Sequence, residues 1–260
     1  MSARAAAVTF DIATRRGLAE RGQMLVSVGF YAIVTFALAA VWDAAAAANG
    51  GSVAGYSAVA LTWYVATTEA ATMPINARLI EDLGFAINDG TVATEMLRPV
   101  PPLTVRVATE LGRATPRLGA CVVVGLALAL AVGGAPPSVP ALLLTVPSLV
   151  LAVACNLVAM HAFAGAGFWL RDTRSSWFLY QKFVFLVGGM LIPLEVLPSA
   201  LSAVARALPF MAMAYAPARL ASGHVEPYLL LVQAGWLAVL WLVAVRVYTR
   251  GERRLQAAGG

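Results

Sequence analysis

Clusters of basic residues alternate with long uncharged stretches along this chain, and this alternation constrains its fold more than any other feature. Of the 18 lysines and arginines, 16 fall in four clusters. The clusters are residues 4–21, 78–117, 171–182 and 246–254. Lysine and arginine accumulate in cytoplasmic loops of membrane proteins because their translocation is unfavourable. The pattern therefore predicts a membrane topology with both chain ends in the cytoplasm, and only Arg206 and Arg219 depart from it.

Composition agrees with a membrane protein. Hydrophobic residues make up 60% of the chain and charged residues 12%, whereas soluble domains carry about 25% charged residues. The net charge of +5 would suggest nucleic acid in a soluble protein, but here the basic residues flank apolar stretches. Anionic membrane lipid is therefore the expected partner, and nucleic acid is not. Cys121 and Cys155 both lie inside apolar runs, which argues against a disulfide framework or a metal site.

Six apolar stretches approach the roughly 20 residues needed to cross a bilayer. They are residues 24–43, residues 56–76, the two halves of 118–160, residues 177–194 and residues 227–245. Glycine and proline at 133–138 divide the third stretch and predict a helical hairpin. The first stretch exceeds the roughly 7–15 apolar residues of a signal peptide, which favours an uncleaved span. The prediction is an all-α membrane protein with six transmembrane helices in one domain, residues 1–260.

A polar segment, residues 77–115, follows the second predicted span and exceeds the roughly 2–8 residues of most helix connections. Apolar residues recur at helical spacing and predict a short amphipathic helix: Leu79, Ile80, Leu83 and Ile87. Asn88, Asp89 and Gly90 predict a turn. Pro99 ends a second short helix, because proline disfavours helical geometry at Arg98. With Arg78, Glu81 and Asp82 nearby, the segment predicts a cytoplasmic docking surface.

Residues 195–226, which we call the outer segment, are mostly apolar but contain no uninterrupted run long enough to cross a membrane. Prolines interrupt this region and its start: Pro193, Pro198, Pro209 and Pro217. Non-helical backbone at membrane depth is tolerated only where protein or a water-filled cavity covers it. The pattern predicts two short re-entrant helices that pack on the spans as an outer lid. An ordinary interfacial loop is the alternative.

The second predicted span carries polar residues on one helical face: Thr62, Glu69, Thr72 and Asn76. Ionisable residues within spans are costly and usually face a cavity. This stripe therefore predicts part of a substrate path at a subunit interface. A structural, hydrogen-bonded glutamate is the alternative for Glu69.

The landmarks of both halves of the chain resemble one family. In the first half they are Ile87, Asp89-Gly90, Leu97-Arg98-Pro99-Val100 and Pro102-Leu103. In the second half they are Phe168-Trp169, Gly189, Ile192-Pro193-Leu194, Leu197-Pro198, Leu208-Pro209-Phe210, Pro217 and Gly223. Together they resemble the ABC-2-type exporter permeases, in particular their small six-span branch. The likeness covers nearly the whole chain and rests on proline, glycine and arginine positions.

The resemblance implies a permease subunit driven by a separate ATPase. Residues 1–23 would form an interfacial helix, residues 77–115 would hold the coupling helix that meets the ATPase, and residues 195–226 would hold the re-entrant helices. Two copies, or this chain and a similar partner, would form the conduit. The apolar conduit and lid suit a hydrophobic or amphipathic substrate, with a polysaccharide as the alternative. One lysine against 17 arginines suggests a GC-rich bacterial genome, so the expected location is the bacterial inner membrane.

The chain itself offers no nucleotide site. A Walker A loop ends in Gly-Lys-Ser/Thr, and the sole lysine, Lys182, follows Tyr180-Gln181. We therefore expect no cofactor and no catalytic residue here, with ATP and magnesium bound by the partner ATPase. An ATP-independent carrier or channel is the alternative function. An intramembrane enzyme is disfavoured, because the spans offer few ionisable residues besides Glu69 and His161.

Overall fold

The structure is a computed structural model that describes residues 2–97 and 100–258. Helices dominate it, and a hairpin of two-residue strands lies between the second and third of them. The helices are α1 (Ser2–Ala19), α2 (Arg21–Ala48), α3 (Ala58–Thr72), α4 (Leu79–Asn88), α5 (Thr91–Glu95), α6 (Pro102–Leu128), α7 (Val139–Ala164), α8 (Arg174–Lys182), α9 (Ser199–Arg206), α10 (Tyr215–Ala221) and α11 (Tyr228–Ala258). Strands β1 (Ser52–Val53) and β2 (Tyr56–Ser57) pair antiparallel. The all-α class is confirmed.

Four helical stretches in the described residues are long and apolar enough to cross a membrane. They are Arg21–Ala48, Pro102–Gly133, Val139–Phe168 and Tyr228–Leu255. The other two predicted spans are shorter helices. Helix α3 has 15 residues and rises about 22 Å, less than the hydrocarbon thickness of about 30 Å. Helix α8 has 9 residues and continues through a π-helical turn, Phe183–Val187.

Three boundaries differ from those predicted. Helix α6 begins at Pro102, so residues 102–115 belong to this helix and not to a polar connection; proline is favourable in the first turn of a helix. The fifth predicted span, 177–194, is helical only to Val187, because the chain turns at Gly189 with a φ of +72°. The final helix continues past Val245 to Ala258.

Helix α3 lies at the centre of the fold. Its residues from Ala60 to Ala71 are all buried, and α2, α6, α7 and α10 pack around it. The Ser57 hydroxyl begins the helix by accepting a hydrogen bond from the Ala60 N–H at 3.2 Å. A helix enclosed on every side is shielded by protein along most of its length.

Helix α1 lies against the first half of α6. The two helices meet at glycines: a Cβ at Gly112 would be 2.5 Å from the Phe10 carbonyl oxygen, and one at Gly17 would be 2.9 Å from Pro116. This close approach covers the polar first half of α6. A salt bridge of 3.2 Å between Arg117 and Glu20 joins α6 to the junction of α1 and α2. Helix α1 thus falls within residues 1–23, for which the resemblance implies an interfacial helix.

Candidate functional site

Helix α4 presents two contrasting faces. The predicted apolar stripe is buried, with exposed fractions of 4% or less: Leu79, Ile80, Leu83 and Ile87. On the opposite face the Phe85 ring is 70% exposed, and Asp82 and Asn88 are exposed as well. The helical spacing in the sequence thus predicted the buried face correctly. An exposed aromatic ring among polar side chains is typical of a binding surface.

Local hydrogen bonds fix both ends of α4. Asn76 donates to the Asp82 carboxylate at 3.1 Å and accepts from the Arg78 N–H at 3.0 Å. After the helix, Gly90 takes a φ of +85°, as the predicted turn requires. The Thr91 N–H donates to the Asp89 carboxylate at 2.9 Å, and this hydrogen bond lowers the pKa of Asp89 below its ordinary value.

A cleft of about 640 Å³ runs along the polar face of α4. It is lined on the α4 side by Arg78, Glu81, Asp82, Phe85 and Asn88, and on the other by Arg171, Asp172, Thr173 and Arg174. Five of the predicted docking residues, Arg78, Glu81, Asp82, Asn88 and Asp89, therefore lie on or beside one surface. Gly90 forms the turn after it, and Arg98 and Pro99 lie outside the described residues.

Helix α4 is bound to the chain that precedes and begins α8, and we call this contact the inner joint (residues 77–88 with 170–177). The Asn88 amide donates to the carbonyls of Leu170 at 3.4 Å and Arg171 at 3.2 Å. The Trp177 indole N–H donates to the Ala77 carbonyl at 2.8 Å. Every one of these bonds joins a neutral side chain to a backbone carbonyl.

Close packing completes the inner joint. Thr173 donates to the Ile80 carbonyl at 3.3 Å, and its side chain fills the space above Gly84. A Cβ at Gly84 would lie 2.1 Å from the Thr173 hydroxyl oxygen and 2.7 Å from its Cβ. Sequence reasoning missed Thr173 and Trp177, because nothing local marks a partner some 90 residues away.

The four residues of the predicted polar stripe do not lie on one helix, because α3 ends at Thr72 and Asn76 lies in the connection to α4. Thr72 and Asn76 line a cavity of about 750 Å³ near the basic end of the molecule, which we call the inner cavity. Thr62 and Glu69 lie further along α3 and are 4% and 1% exposed. Thr62 contacts Gly133, and Glu69 Oε2 has no hydrogen-bond partner among the described residues. The structure therefore brings two of the four residues together at a cavity.

The inner cavity has a polar part and an apolar part. Charged and amide side chains in its wall include Glu20, Gln23, Glu110, Arg113 and Arg117. Apolar side chains in its wall include Phe30, Met160, Val184, Phe185 and Met190. Helix α2 contributes Gln23, Ser27 and Phe30 to the lining, and α8 with its π turn contributes Trp177, Tyr180, Gln181, Val184 and Phe185. A cavity of this size suits a small ligand, since ligand pockets measure about 300–1,000 Å³.

The outer segment folds into α9, α10 and two 3-10 turns, and α10 is buried against α3 and α7. Each proline lies at a helix start, where it is tolerated. Pro193 and Pro198 immediately precede a 3-10 turn and α9, Pro209 is the first residue of the second 3-10 turn, and Pro217 is the third residue of α10. Two short α-helices thus occupy the region where the sequence predicts them.

Glu195 is the centre of a charged cluster in the outer segment, which we call the outer cluster. Its carboxylate accepts hydrogen bonds from Tyr215 at 2.6 Å, from Tyr56 at 3.0 Å and from Arg206 at 2.9 Å. Arg219 lies 3.4 Å away and also pairs with Glu226 at 3.1 Å. The two arginines that depart from the charge pattern are thus paired with carboxylates.

The outer cluster sets the charge of Glu195. Burial alone would raise the pKa of this carboxyl group. The hydrogen bonds from Tyr215 and Tyr56 and the charge of Arg219 favour the ionised form more strongly, so the pKa of Glu195 lies below its ordinary value. Among residues 2–97 and 100–258, no three His, Cys, Asp or Glu side chains converge as a metal site.

An all-α chain with four membrane-length apolar helices is a multi-pass membrane protein. Residues 23–259 match the family described as ABC-2 family transporter protein, so the chain belongs to that family. No curated protein and no solved structure matches the chain. The predicted resemblance to ABC-2-type permeases is therefore confirmed.

Proposed function

We propose that this chain is the membrane-spanning subunit of an ATP-driven exporter, powered by a separate ATPase. The observation that carries the proposal is the family match over residues 23–259. ATP and magnesium would bind the ATPase, and this chain would supply the conduit and the surface that receives the movement. The expected location is the inner membrane of a bacterium.

The proposed topology has six spans with both chain ends in the cytoplasm, α3 and α8 being the second and fifth. Two observations support it. Helix α3 is enclosed by α2, α6, α7 and α10, and the chain turns back after α8 into the outer segment. A helix shielded by its neighbours does not need to match the full bilayer thickness. Helix α1 would lie at the inner interface.

The proposed ATPase-coupling surface is the cleft along α4. Its exposed Phe85 would insert into the ATPase, and the charged rim of the cleft would orient the contact. Aromatic residues within a polar rim dominate many interfaces. Through the inner joint, movement of α4 would move α8 as well. ATP binding would then bias a two-state equilibrium of the permease, as any ligand with different affinities for two states does.

The proposed conduit includes the inner cavity, where Thr72 and Asn76 face α8 and α2. A second copy of this chain, or a similar permease, would complete it. Glu69 lies on α3 three residues before Thr72, and its oxygen without a hydrogen-bond partner among the described residues supports a role in the path. The mixed polar and apolar wall suits an amphipathic substrate better than a fully polar one.

Affinity purification in mild detergent tests the proposal. We expect an ATPase with a Walker A loop to co-purify, to be identified by mass spectrometry, and to be lost on Phe85→Ala or Asp89→Ala. Val123→Ala is the matched control for the first change, because Val123 is 68% exposed but lies on a membrane-length helix away from α4.

The opposite result would favour the alternative function. A stable oligomer that transports cargo in vesicles without an ATPase would identify an ATP-independent carrier. Transport rates that are unchanged by Glu69→Gln would remove this residue from the proposed path while leaving the exporter assignment intact.

A further inference from the structure

We infer that the inner cavity binds the head group of an anionic amphiphile, a molecule with one phosphate or carboxylate and an apolar chain. Arg117 would hold the head group. This inference rests on the proposed function, because it names the substrate class of the proposed conduit. The inference depends on the incomplete hydrogen bonding of the buried Arg117 guanidinium.

Arg117 is 9% exposed and lies in the wall of the inner cavity. Its single hydrogen bond joins Nη2 to Glu20 at 3.2 Å, and its buried Nε has no partner among the described residues. A guanidinium carries five N–H donors in a fixed fork, which matches the oxygens of a carboxylate or phosphate. A buried donor without an acceptor is destabilising. Nε itself is enclosed by protein, so the donors that an oxyanion in the cavity would satisfy are the other N–H groups of Nη1 and Nη2, which form only the one bond to Glu20.

The acidic residues of the cavity do not offset this donor excess. Glu20 is 43% exposed in its side chain and accepts only the one bond from Arg117. Glu110 is paired with Arg113 at 3.0 Å, and the Arg113 side chain is 41% exposed. Each arginine is thus paired with one carboxylate, and a bound anion would meet the remaining N–H donors of the two guanidinium groups, which have no other partner among the described residues.

The position of Arg117 along α6 indicates what kind of group is attached to the anionic head group. Residues 118–133, which follow Arg117 in this helical stretch, carry no charge. Arg117 therefore marks the depth at which charges end, which is where lipid head groups meet the hydrocarbon core. Phe30 on α2 and Phe185 in the π turn of α8 line the same cavity on its apolar side. A head group at Arg117 places an attached chain between these two rings.

Photolabelling in nanodiscs of zwitterionic phosphatidylcholine tests the inference with the permease alone. The probe is dodecyl phosphate with a diazirine in its chain, and the labelled peptides are identified by mass spectrometry. We expect labelling of the peptides that contain Phe30 and Phe185. Unlabelled dodecyl phosphate should compete at least about tenfold better than dodecyltrimethylammonium, the size of effect expected from one charge-assisted hydrogen bond.

Arg117→Gln should reduce this labelling about tenfold or more, and Arg117→Lys, which keeps the charge but loses the fork, should have an intermediate effect. Arg15→Gln is the control, because Arg15 is exposed and pairs with Asp11 away from the cavity. If Arg117→Gln does not fold, Phe30→Ala replaces it, since Phe30 is 56% exposed. That variant should be labelled more weakly, mainly in the peptide that contains Phe185, and its remaining labelling should keep the preference for the anion.

Equal competition by the cationic amphiphile, or equal labelling of Arg117→Gln and Arg15→Gln, overturns the inference. A second arm identifies the source of the ligand. If phosphatidylglycerol in the nanodisc suppresses labelling, the site is occupied by membrane lipid; if it does not, the site takes a separate single-chain substrate. Because no ATPase is present, failure here is distinguishable from failure of the exporter assignment, which the co-purification tests.

Discussion

The inner joint and the outer cluster both fasten a short helical segment to the membrane helices, but they do so with different chemistry. At the inner joint, neutral side chains donate to backbone carbonyls and Thr173 packs onto Gly84. In the outer cluster, one carboxylate accepts hydrogen bonds from two tyrosines and forms salt bridges with two arginines. Neither contact resembles the apolar packing around α3.

This difference has a functional meaning. Neutral hydrogen bonds and steric fit depend little on pH or salt, so the inner joint is compatible with the proposed role of α4 in transmitting movement as a rigid unit. A cluster around one ionised group depends on that group, because removing it leaves several partners unsatisfied together. The outer segment should therefore loosen as a whole when Glu195 is removed or protonated.

The largest expected effect comes from removing the centre of the outer cluster. Glu195→Ala leaves the mostly buried Arg219 with Glu226 as its carboxylate partner, beside its hydrogen bond to Tyr56, and leaves two tyrosine hydroxyls without this acceptor. We expect a loss of stability of about 3 kcal/mol, typical of breaking a largely buried ion pair, and faster hydrogen exchange throughout residues 194–221. Asp43→Asn, at an exposed position, is the control. Exchange confined to the residues next to 195 would refute a concerted release.

The next effect concerns the fit between Gly84 and Thr173. Gly84→Ala places a Cβ within 3 Å of a stiff, β-branched side chain, so we expect a destabilisation of about 2 kcal/mol from overpacking, seen as a lower melting temperature. Thr173→Ala in the same chain should restore part of it. Gly119→Ala is the control, since a Cβ there meets nothing within 4 Å. Equal melting temperatures for Gly84→Ala and Gly119→Ala would show that the contact between Gly84 and Thr173 is not tightly packed.

A smaller effect is expected from one hydrogen bond of the inner joint. Asn88→Ala removes the donor to the Leu170 and Arg171 carbonyls, which should cost about 1 kcal/mol. The protection of residues 170–173 against hydrogen exchange should fall, while that of the outer segment should not change. If protection fell in the outer segment as well as in residues 170–173, the inner joint and the outer cluster would be energetically coupled in the resting protein.

The smallest effect is the response to acid. The folded-state pKa of Glu195 is lowered, so its contribution to stability is fully present above the ordinary carboxyl value of about 4.3 and is lost as pH falls through the lowered value. Below about pH 4, exchange should therefore increase in residues 194–221 more than in residues 77–88. The Glu195→Gln variant should lack this difference. An equal increase in hydrogen exchange in residues 194–221 and 77–88 would show that acid does not affect the outer cluster more than the inner joint.

The sequence predicted features that depend on local pattern. The buried face of α4 follows from the spacing of Leu79, Ile80, Leu83 and Ile87, and the turn after it follows from Asp89 and Gly90. The first half of α6 was misread as a connection, because Arg106, Glu110 and Arg113 make it polar. What makes that half a stable helix is its packing against α1, which lies some 100 residues earlier in the chain and leaves no trace in local periodicity.

The contacts of the two fastened segments could not be predicted for the same reason. Asn88 and Arg171 are 83 residues apart, and Tyr56 and Glu195 are 139 apart. The charge pattern did mark Arg206 and Arg219 as exceptions, and both belong to the outer cluster. Composition could show that these charges needed partners, but only the fold selects Glu195 among the available carboxylates.

Helix α8 is tied at both ends, and this restricts how it can respond to movement. Trp177 binds it to the Ala77 carbonyl, and beyond its outer end the Tyr64 hydroxyl donates to the Gly189 carbonyl. Any change in length between these ties must occur in the π turn, Phe183–Val187. Conversion of that turn to α-helical pitch would shift the chain by one residue, a screw motion of about 1.5 Å and about 100°. Such a step would turn Phe185 relative to the inner cavity and would move the two ties relative to each other.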